Sequence, residues 1–420
     1  MNRSRPRGRR ALIAALSVFV VAALAAGGYT AACALAPLPA PTIETSPDFA
    51  EGGEGALMAG DAAAAQAAVD AQHLPTAIGY LHEDEVWAND ATAYPLASIS
   101  KLVTVLVCAE VQPIELGSDG PVYVWTDADR ERQDGYLALD GVAYPIPVGT
   151  EITLRQMLQF IFLPSANDYA AAYARWTFGD DDAFLAAVDD WKQRHGIESL
   201  QFVEPTGMDE GNMASAPDVL RIARLVLQNP ALAEFTRLPS AEMPWGVGLI
   251  ENTNPLLTEM PGIVGVKTGR SSMAGFNFAV AQQVDVVGRD VVQMSVTLGR
   301  DSTEARAQSG RDMLAALDAL PGIAPILEEG AVIGEAVTVD GTRIPLVAER
   351  GAAVTLLPGE SARRSAALDA GSLGEAGAEV GSVEVDAPSA AQSIAVIATA
   401  EVVEPDLWWR LTHPSELFGW

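Results

Sequence analysis

Three short clusters in this chain combine a hydroxyl nucleophile, an amine and groups suited to a carboxylate. The first is Ser98-Ile99-Ser100-Lys101. Residues three apart on a helix share a face, so the Lys101 amine comes within reach of the Ser98 hydroxyl. A free serine is a poor nucleophile and needs a base beside it. A lysine can be that base once burial or a neighbouring cation lowers its pKa. The apolar flanks Pro95-Leu96-Ala97 and Leu102-Val103 supply such burial. The second cluster is Ser165-Ala166-Asn167, after Leu163-Pro164 and before a helical run. Its hydroxyl and amide can relay a proton and hold a substrate amide; the same pair also suits a helix N-cap. The third is Lys267-Thr268-Gly269, closing the apolar run Ile263 to Val266. A strand ending this way can pair with an extended peptide. Gly269 lets a substrate approach the backbone, while Lys267 and Thr268 offer a cation and a hydroxyl to a carboxylate. Each cluster alone also reads as a surface pair, a cap or a strand-end turn. In the order S-x-x-K, S-x-N, K-T-G, each in its structural context, they predict serine acyl transfer.

The chain has only three lysines, Lys101, Lys192 and Lys267, and arginine supplies every other fixed positive side chain. Two of the three stand in the clusters. Arginine cannot lose its proton in a protein, whereas a buried lysine can. Composition bounds the rest. With 420 residues, 49% hydrophobic and 19% charged, the chain can bury a large core and hold two domains. A net charge of -29 argues against nucleic acid as a partner. The histidines His73, His82, His195 and His413 show no ligand spacing, so neither metal nor cofactor is expected. Two cysteines, Cys33 and Cys108, make no disulfide framework.

These clusters must be positioned by surrounding elements. Arg3, Arg5, Arg7, Arg9 and Arg10 precede an uncharged stretch from Ala11 to about Leu38. That pattern predicts an export signal or membrane anchor over 1–38. Small residues at Ala32, Ala34 and Ala36 suit a cleavage site, and the stretch is also long enough to be retained as a span. Residues 39–56 read as a linker. Helical spacing runs from Leu57 to Gln72, and Thr76 to Leu81 with Glu85 to Trp87 reads as a hairpin. Helices are expected at Ser98–Glu110, Leu154–Phe160, Asn167–Trp176, Asp182–His195, Ala216–Gln228 and Thr303–Leu317. Strands are expected at Ile263–Thr268, Phe276–Gln283 and Val291–Leu298. Strand hairpins at both ends of a helical middle imply one sheet whose edges come from distant parts of the chain. The serine acyl-transfer domain spans 57–322. Short β-prone runs over 328–405 predict a small β-sandwich, and 406–420 is a Trp-rich tail suited either to a membrane interface or to packing on its own domain.

Taken together, the segments Ala97 to Thr104, Leu163 to Asp168, Asn252-Thr253-Asn254, Pro261-Gly262, Gly265 to Gly269 and Ala274 to Asn277 resemble the serine-type D-alanyl-D-alanine carboxypeptidases, the low-molecular-mass penicillin-binding proteins. The resemblance covers roughly Thr76 to Leu317, and more loosely the β-rich segment. It implies an α/β fold: a penicillin-binding transpeptidase/β-lactamase-like domain, with an antiparallel sheet, flanking helices and a helical subdomain, then a small all-β C-terminal domain. It implies that Ser98 forms an acyl-enzyme and Lys101 accepts its proton. Ser165 and Asn167 would handle the leaving amine, and Lys267 and Thr268 the terminal carboxylate. The amides of Ser98 and Arg270 would form the oxyanion hole, with Arg306 as a further carboxylate contact. The substrates would be peptidoglycan peptides ending in D-Ala-D-Ala, with β-lactams as inhibitors, outside the cytoplasm and anchored to the membrane or secreted. Two residues depart from the pattern. Arg270 follows Lys-Thr-Gly where a neutral residue is commoner, and Glu204 stands where Asn or Asp is commoner. Glu204 supports an alternative, a β-lactamase-type hydrolase with Glu204 activating the deacylating water. A slowly turning over penicillin-binding sensor is the third reading.

Overall fold

The strands near the Lys-Thr-Gly cluster contain near-continuous apolar runs, and a strand apolar on both parities belongs in a sheet buried on two faces. In the computed structural model, residues 7–50, 57–389 and 391–419 are described. Arg3, Arg5, Trp420 and the linker residues 51–56 lie outside the described residues. The chain divides into two units.

One unit comprises Gly60–Gly322 with Leu357–Glu360. Its centre is a five-stranded antiparallel sheet in the order Ile263–Ser271, Gly275–Val286, Arg289–Arg300, Thr76–Tyr80, Val86–Ala88. The two ends of the unit's sequence thus meet in one sheet, with Ile78 opposite Ser295. Ile78, Tyr80, Phe278 and Val280 face the helices Ala62–Asp70 and Thr303–Asp318. Ala77, Ala279, Ala281, Met294 and Val296 face the main core, which contains Lys101–Val111 and Ala216–Gln228. Several helices start where the sequence supplies a cap. Thr153 and Gln156 form a capping box for Leu154–Phe162, and Ser215 caps Ala216–Gln228.

The other unit gathers the N-terminal chain up to Ala59, Ile323–Leu356 and the chain from Ser361 onward. A seven-stranded antiparallel sheet runs Thr42–Thr45, Val332–Val337, Arg343–Ala348, Gln392–Ala398, Glu379–Asp386, Ser361–Leu368, Leu57–Ala59. The strand pair Gly322–Leu327 and Ala352–Leu356 shares its core through Ile326, Val354 and Leu356. The helix Arg7–Leu35 belongs to this unit. Its segment Ala11–Leu35 is long and apolar enough to cross a membrane, with a mean hydropathy of 2.3.

Three expectations need correction. Thr42–Thr45, read as linker, is an edge strand paired with Val337 to Gly334. Its β-branched residues suit a strand, but four residues without a visible partner carry little signal. The helix expected from Leu57 begins only at Ala62, capped by Asp61. Leu57–Ala59 instead pairs with Ser361 to Arg363. Gly60 marks the break, since a Cβ there would lie 2.1 Å from the Leu357 carbonyl oxygen. Finally, the helix Asp127–Ala138 was not anticipated, because it is polar along its length. The Thr126/Asp129 capping box was its one legible sign.

The Ser165-Ala166-Asn167 turn joins two packed helices, Leu154–Phe162 and Asn167–Phe178. Across that turn Phe160 stacks on Tyr169 at 4.1 Å between ring centroids, and Tyr169 packs on Trp125 at 4.9 Å. Phe160 is fully buried. Replacing Phe160 with Ala should destabilise this unit by about 3–5 kcal/mol through lost contacts and a residual cavity. Urea unfolding followed by near-UV circular dichroism checks this; an unchanged midpoint would show that the stack does not hold the turn.

Candidate active site

The site grows from a tight turn that three separate segments hold in place. Ala97–Ser100 forms a single 3-10 turn that leads into the helix Lys101–Val111. Ala97 has a φ of 49°, a left-handed conformation that costs a non-glycine residue energy. Neighbours hold it there. The Asn277 amide donates to the carbonyls of Pro95 at 2.8 Å and Leu96 at 3.1 Å, and accepts from the Gly299 N–H at 2.9 Å. Leu96 N–H bonds the Asn212 carbonyl at 2.8 Å. Gly269, paired with Asn277 in the sheet, abuts the same turn: a Cβ there would stand 2.6 Å from the Leu96 carbonyl oxygen. The room that Gly269 provides is therefore occupied by the Ser98 turn, a role its sequence reading as a substrate-approach residue did not include.

Lys101 is fully buried, and its Nζ has three oxygen neighbours. Ser98 Oγ lies at 2.9 Å, Asn167 Oδ1 at 2.6 Å and the Thr206 carbonyl at 2.7 Å. Burial pulls the Lys101 pKa down to about 7, against the opposing pull of the Glu204 and Asp168 carboxylates. A neutral amine in this position donates its two hydrogens to the two carbonyl acceptors. Its lone pair is then left facing the Ser98 hydroxyl.

Ser165 also adopts a left-handed conformation, with a φ of 69°, and its buried Oγ has no hydrogen-bond partner among the described residues. Asn167 begins its helix, and its N–H bonds the Val142 carbonyl at 2.7 Å. This contact lays the loop Leu139–Val142 along one wall of the cleft. Gly141 permits it, since a Cβ there would be 2.7 Å from Asn167 Nδ2. Asp168, next in the helix, accepts from Gln133 Nε2 at 2.7 Å and the Tyr144 N–H at 3.0 Å, tying down the far end of the loop. Burial pushes the Asp168 carboxyl up to about 7. The loop was missed in the sequence; the Asp140-Gly141 turn dipeptide was its available signal.

The opposite wall is the strand Ile263–Ser271. Lys267 is buried, with Nζ 3.2 Å from the Thr268 carbonyl. Its pKa falls well below the ordinary lysine value, chiefly from burial and then from the positive charges of Lys101 and Arg306. The Thr268 and Thr253 hydroxyls share a hydrogen bond of 2.6 Å. Arg306 reaches the carbonyls of Gly269 at 3.5 Å and Thr253 at 3.3 Å, both at the long limit, and its buried Nε has no partner among the described residues. Arg270 and Arg306 lie over the Phe276 ring at 5.2 and 5.7 Å. Among the described residues no carboxylate forms an ion pair with Lys267, Arg270 or Arg306. The cleft between the walls measures 1160 Å³, and Ser98, Ser165, Asn167, Thr268, Gly269, Arg270 and Arg306 all line it. All seven residues singled out in the three clusters therefore converge, Lys101 and Lys267 from beneath the surface.

Glu204 does not join them as a base. Its carboxylate accepts from Thr206 N–H at 2.8 Å, Thr206 Oγ1 at 2.7 Å and Asn212 Nδ2 at 3.2 Å, organising its own loop. It is absent from the cleft lining, which Gly207, Met208 and Glu210 supply on that side. The loop it shapes carries the Thr206 carbonyl that receives Lys101.

The D-alanyl-D-alanine carboxypeptidase family model (peptidase S11) matches residues 86–301. The chain belongs to this family. Similar curated proteins include the D-alanyl-D-alanine carboxypeptidase DacB2 of Mycobacterium tuberculosis, 36% identical over 194 residues, covering 45% of this chain and 62% of that one. The carboxypeptidase DacF of Bacillus subtilis is 28% identical over 189 residues, covering 43% and 46%. A D-alanyl-D-alanine endopeptidase of Pseudomonas aeruginosa is 28% identical over 193 residues, covering 44% and 59%. The matches thus span about half the length of these relatives. Among solved structures, penicillin binding protein 5 of Haemophilus influenzae superposes with a TM-score of 0.55 at 19% identity, over 79% of this chain and 97% of that one. DacD of Francisella tularensis gives 0.54 at 15% identity, over 80% and 94%. The fold is that of the penicillin-binding DD-peptidases.

Replacing Gly269 with Ala should force the Ser98 turn away from its strand. Acylation by a fluorescent penicillin should slow by at least about tenfold, equivalent to roughly 1.4 kcal/mol in the barrier. The labelling rate measures this, and an unchanged rate would show that the close approach is dispensable.

Proposed function

We propose that this protein is a D-alanyl-D-alanine carboxypeptidase that removes the terminal D-alanine from peptidoglycan stem peptides. The observation that carries the reading is the buried Lys101 amine, 2.9 Å from Ser98 Oγ and held by two carbonyl acceptors. Ser98 Oγ attacks the carbonyl carbon of the penultimate D-alanine, and Lys101 takes the hydroxyl proton. The amides of Ser98 and Arg270 receive the developing oxyanion. The C–N bond then breaks, and the proton passes to the departing D-alanine amine by way of Lys101 and the unpartnered Ser165 hydroxyl. Asn167 holds the peptide. Water attacks the acyl-enzyme and releases the shortened peptide with Ser98 restored. Arg270 and Arg306 supply positive charge at one end of the cleft, and Lys267 and Thr268 supply hydrogen-bond donors, for the terminal carboxylate. Penicillins acylate Ser98 through the same steps.

The engagement of Glu204 in its own loop disfavours the β-lactamase alternative. The helix Arg7–Leu35 and the family's chemistry support a location outside the cytoplasm, with Ala11–Leu35 holding the enzyme in the membrane.

Three measurements test this reading. A peptide ending in D-Ala-D-Ala should lose D-alanine in the presence of the protein, and Ser98→Ala should abolish the release. If penicillin is hydrolysed rapidly and no D-alanine appears, the β-lactamase reading replaces this one; a stable penicillin adduct without release points to the sensor.

Lys101→Arg keeps a charge but removes the base, so acylation should fall to background while the fold persists. Near-normal labelling by a fluorescent penicillin would remove Lys101 from the role of base. The pH dependence has a defined sign. Below about 7 the Lys101 amine is protonated and cannot accept the Ser98 proton; above it the amine is neutral. The charged groups that bear on it are Glu204 and Asp168. The acylation rate should therefore rise through about pH 7 and level off, and a rate that falls over the same interval would contradict the assignment.

A further inference from the structure

Charge is distributed unevenly across the cleft. Arg270 and Arg306 stand at the strand wall. The opposite lining carries two carboxylates, Asp140 in the Leu139–Val142 loop and Glu210 beyond Met208. Neither forms an ion pair with a cation among the described residues. Asp301, a further carboxylate on the lining, directly precedes the helix that carries Arg306 and so belongs to the cationic side. Around Asp140 and Glu210 the lining is apolar. Leu139 is 70% and Met273 61% exposed, and Val142 and Met208 are exposed as well. Open apolar side chains gathered in a cleft and rimmed by charge suit an apolar part of a ligand. The thioethers of Met208 and Met273 adapt to a flexible one.

A run of contacts orders the cleft. Arg306 reaches the Thr253 carbonyl at 3.3 Å, and the Thr253 N–H bonds the Leu163 carbonyl at 3.1 Å, next to Pro164 and Ser165. Asn167 Oδ1 then meets Lys101 Nζ at 2.6 Å, and Lys101 Nζ meets the Thr206 carbonyl at 2.7 Å. From Thr206 the chain continues through Met208 to Glu210. A peptide with its carboxylate at Arg306 and its reacting carbonyl at Ser98 therefore extends its acyl part toward Met208 and Glu210. We propose that Asp140, Glu210 and the apolar side chains beside them form a specificity subsite for the residue preceding D-Ala-D-Ala, and that this subsite takes an aliphatic side chain ending in a free ammonium. The direction of the peptide rests on the carboxypeptidase reading. The methylenes of such a side chain cover Leu139, Met208 and Met273 while its ammonium stays in water beside the carboxylates, as long cationic side chains do on protein surfaces. Acylating the amine removes its charge. The enzyme is thus set to prefer stems whose side-chain amine is still free, and to act ahead of any reaction that acylates it.

The test measures kcat/KM for D-alanine release by the full chain from two peptides. Both are Nα-acetyl-L-Lys-D-Ala-D-Ala, one with its side-chain amine free and one with it acetylated. Exposed charge pairs are individually weak, so the free amine should be favoured by about three- to tenfold, and added salt should shrink the preference. In the Asp140→Asn, Glu210→Gln double variant the ratio should fall toward one. Asn tolerates the left-handed backbone of Asp140, whose φ is 59°, so the loop is spared. A ratio near one in the unaltered protein would overturn the subsite. A preference that survives the double substitution would overturn its assignment to these two acids. A second pair of probes separates this proposal from the reading on which it rests: a penicillin whose acyl chain ends in an aliphatic amine, and its N-acetylated form, compared by their rates of acylating Ser98. If neither peptide releases D-alanine, the carboxypeptidase reading fails and the penicillin pair decides the subsite, a faster amine-bearing penicillin supporting it and equal rates overturning it.

Discussion

The burial of one amine organises this active site. Lys101 sits without solvent between the helix that carries it, the Asn167 side chain and the Thr206 carbonyl. Desolvation disfavours its ammonium form, and the Glu204 and Asp168 carboxylates favour it. The balance falls at about 7, where the amine can change protonation near neutral pH. Much of the surrounding structure serves to maintain that position. Asn167 is set by the loop over its helix, Thr206 by the carboxylate of Glu204, and Ser98 by the clamp of Asn277 and Gly269.

Lys267 shows how the same residue type diverges when its neighbours change. It is as buried as Lys101, but the charges that act on it are those of Lys101 and Arg306, both positive. The two lysines are therefore suited to different work. Lys101 can exchange a proton with Ser98, whereas at the Lys267 end of the cleft Arg270 and Arg306 have no carboxylate partner among the described residues. A ligand carboxylate compensates that imbalance. Arg270, which departs from the family's usual neutral residue, strengthens it and stacks with Arg306 on the Phe276 ring.

Much of the frame was legible because its signals are local. The helices Asn167–Phe178 and Ala216–Gln228 and the strands around Lys267 announce themselves by periodicity and caps. Elements whose stability comes from a distant partner were not. Thr42–Thr45 and Leu57–Ala59 are strands only because Val332–Val337 and Ser361–Leu368 offer them an edge. The polar helix Asp127–Ala138 has no apolar stripe to announce it, and it supports the site through the contact of Gln133 with Asp168 and through the Tyr136 carbonyl, which accepts from the Gly141 N–H at 2.8 Å.

By itself the sequence marked the residues on which the proposed chemistry rests. Ser98 and Lys101 are covalently three residues apart, and a helix brings such residues together whatever else the chain does. The rarity of lysine and the order of the three clusters marked the same residues. Only the tertiary structure decided what surrounds them, because burial and pKa depend on groups far apart in the chain. It turned Glu204 from a candidate base into the organiser of a loop, and it assigned the space at Gly269 to the Ser98 turn. It also joined Arg410 to the end of the N-terminal helix, a contact between residues 374 positions or more apart that no local pattern encodes.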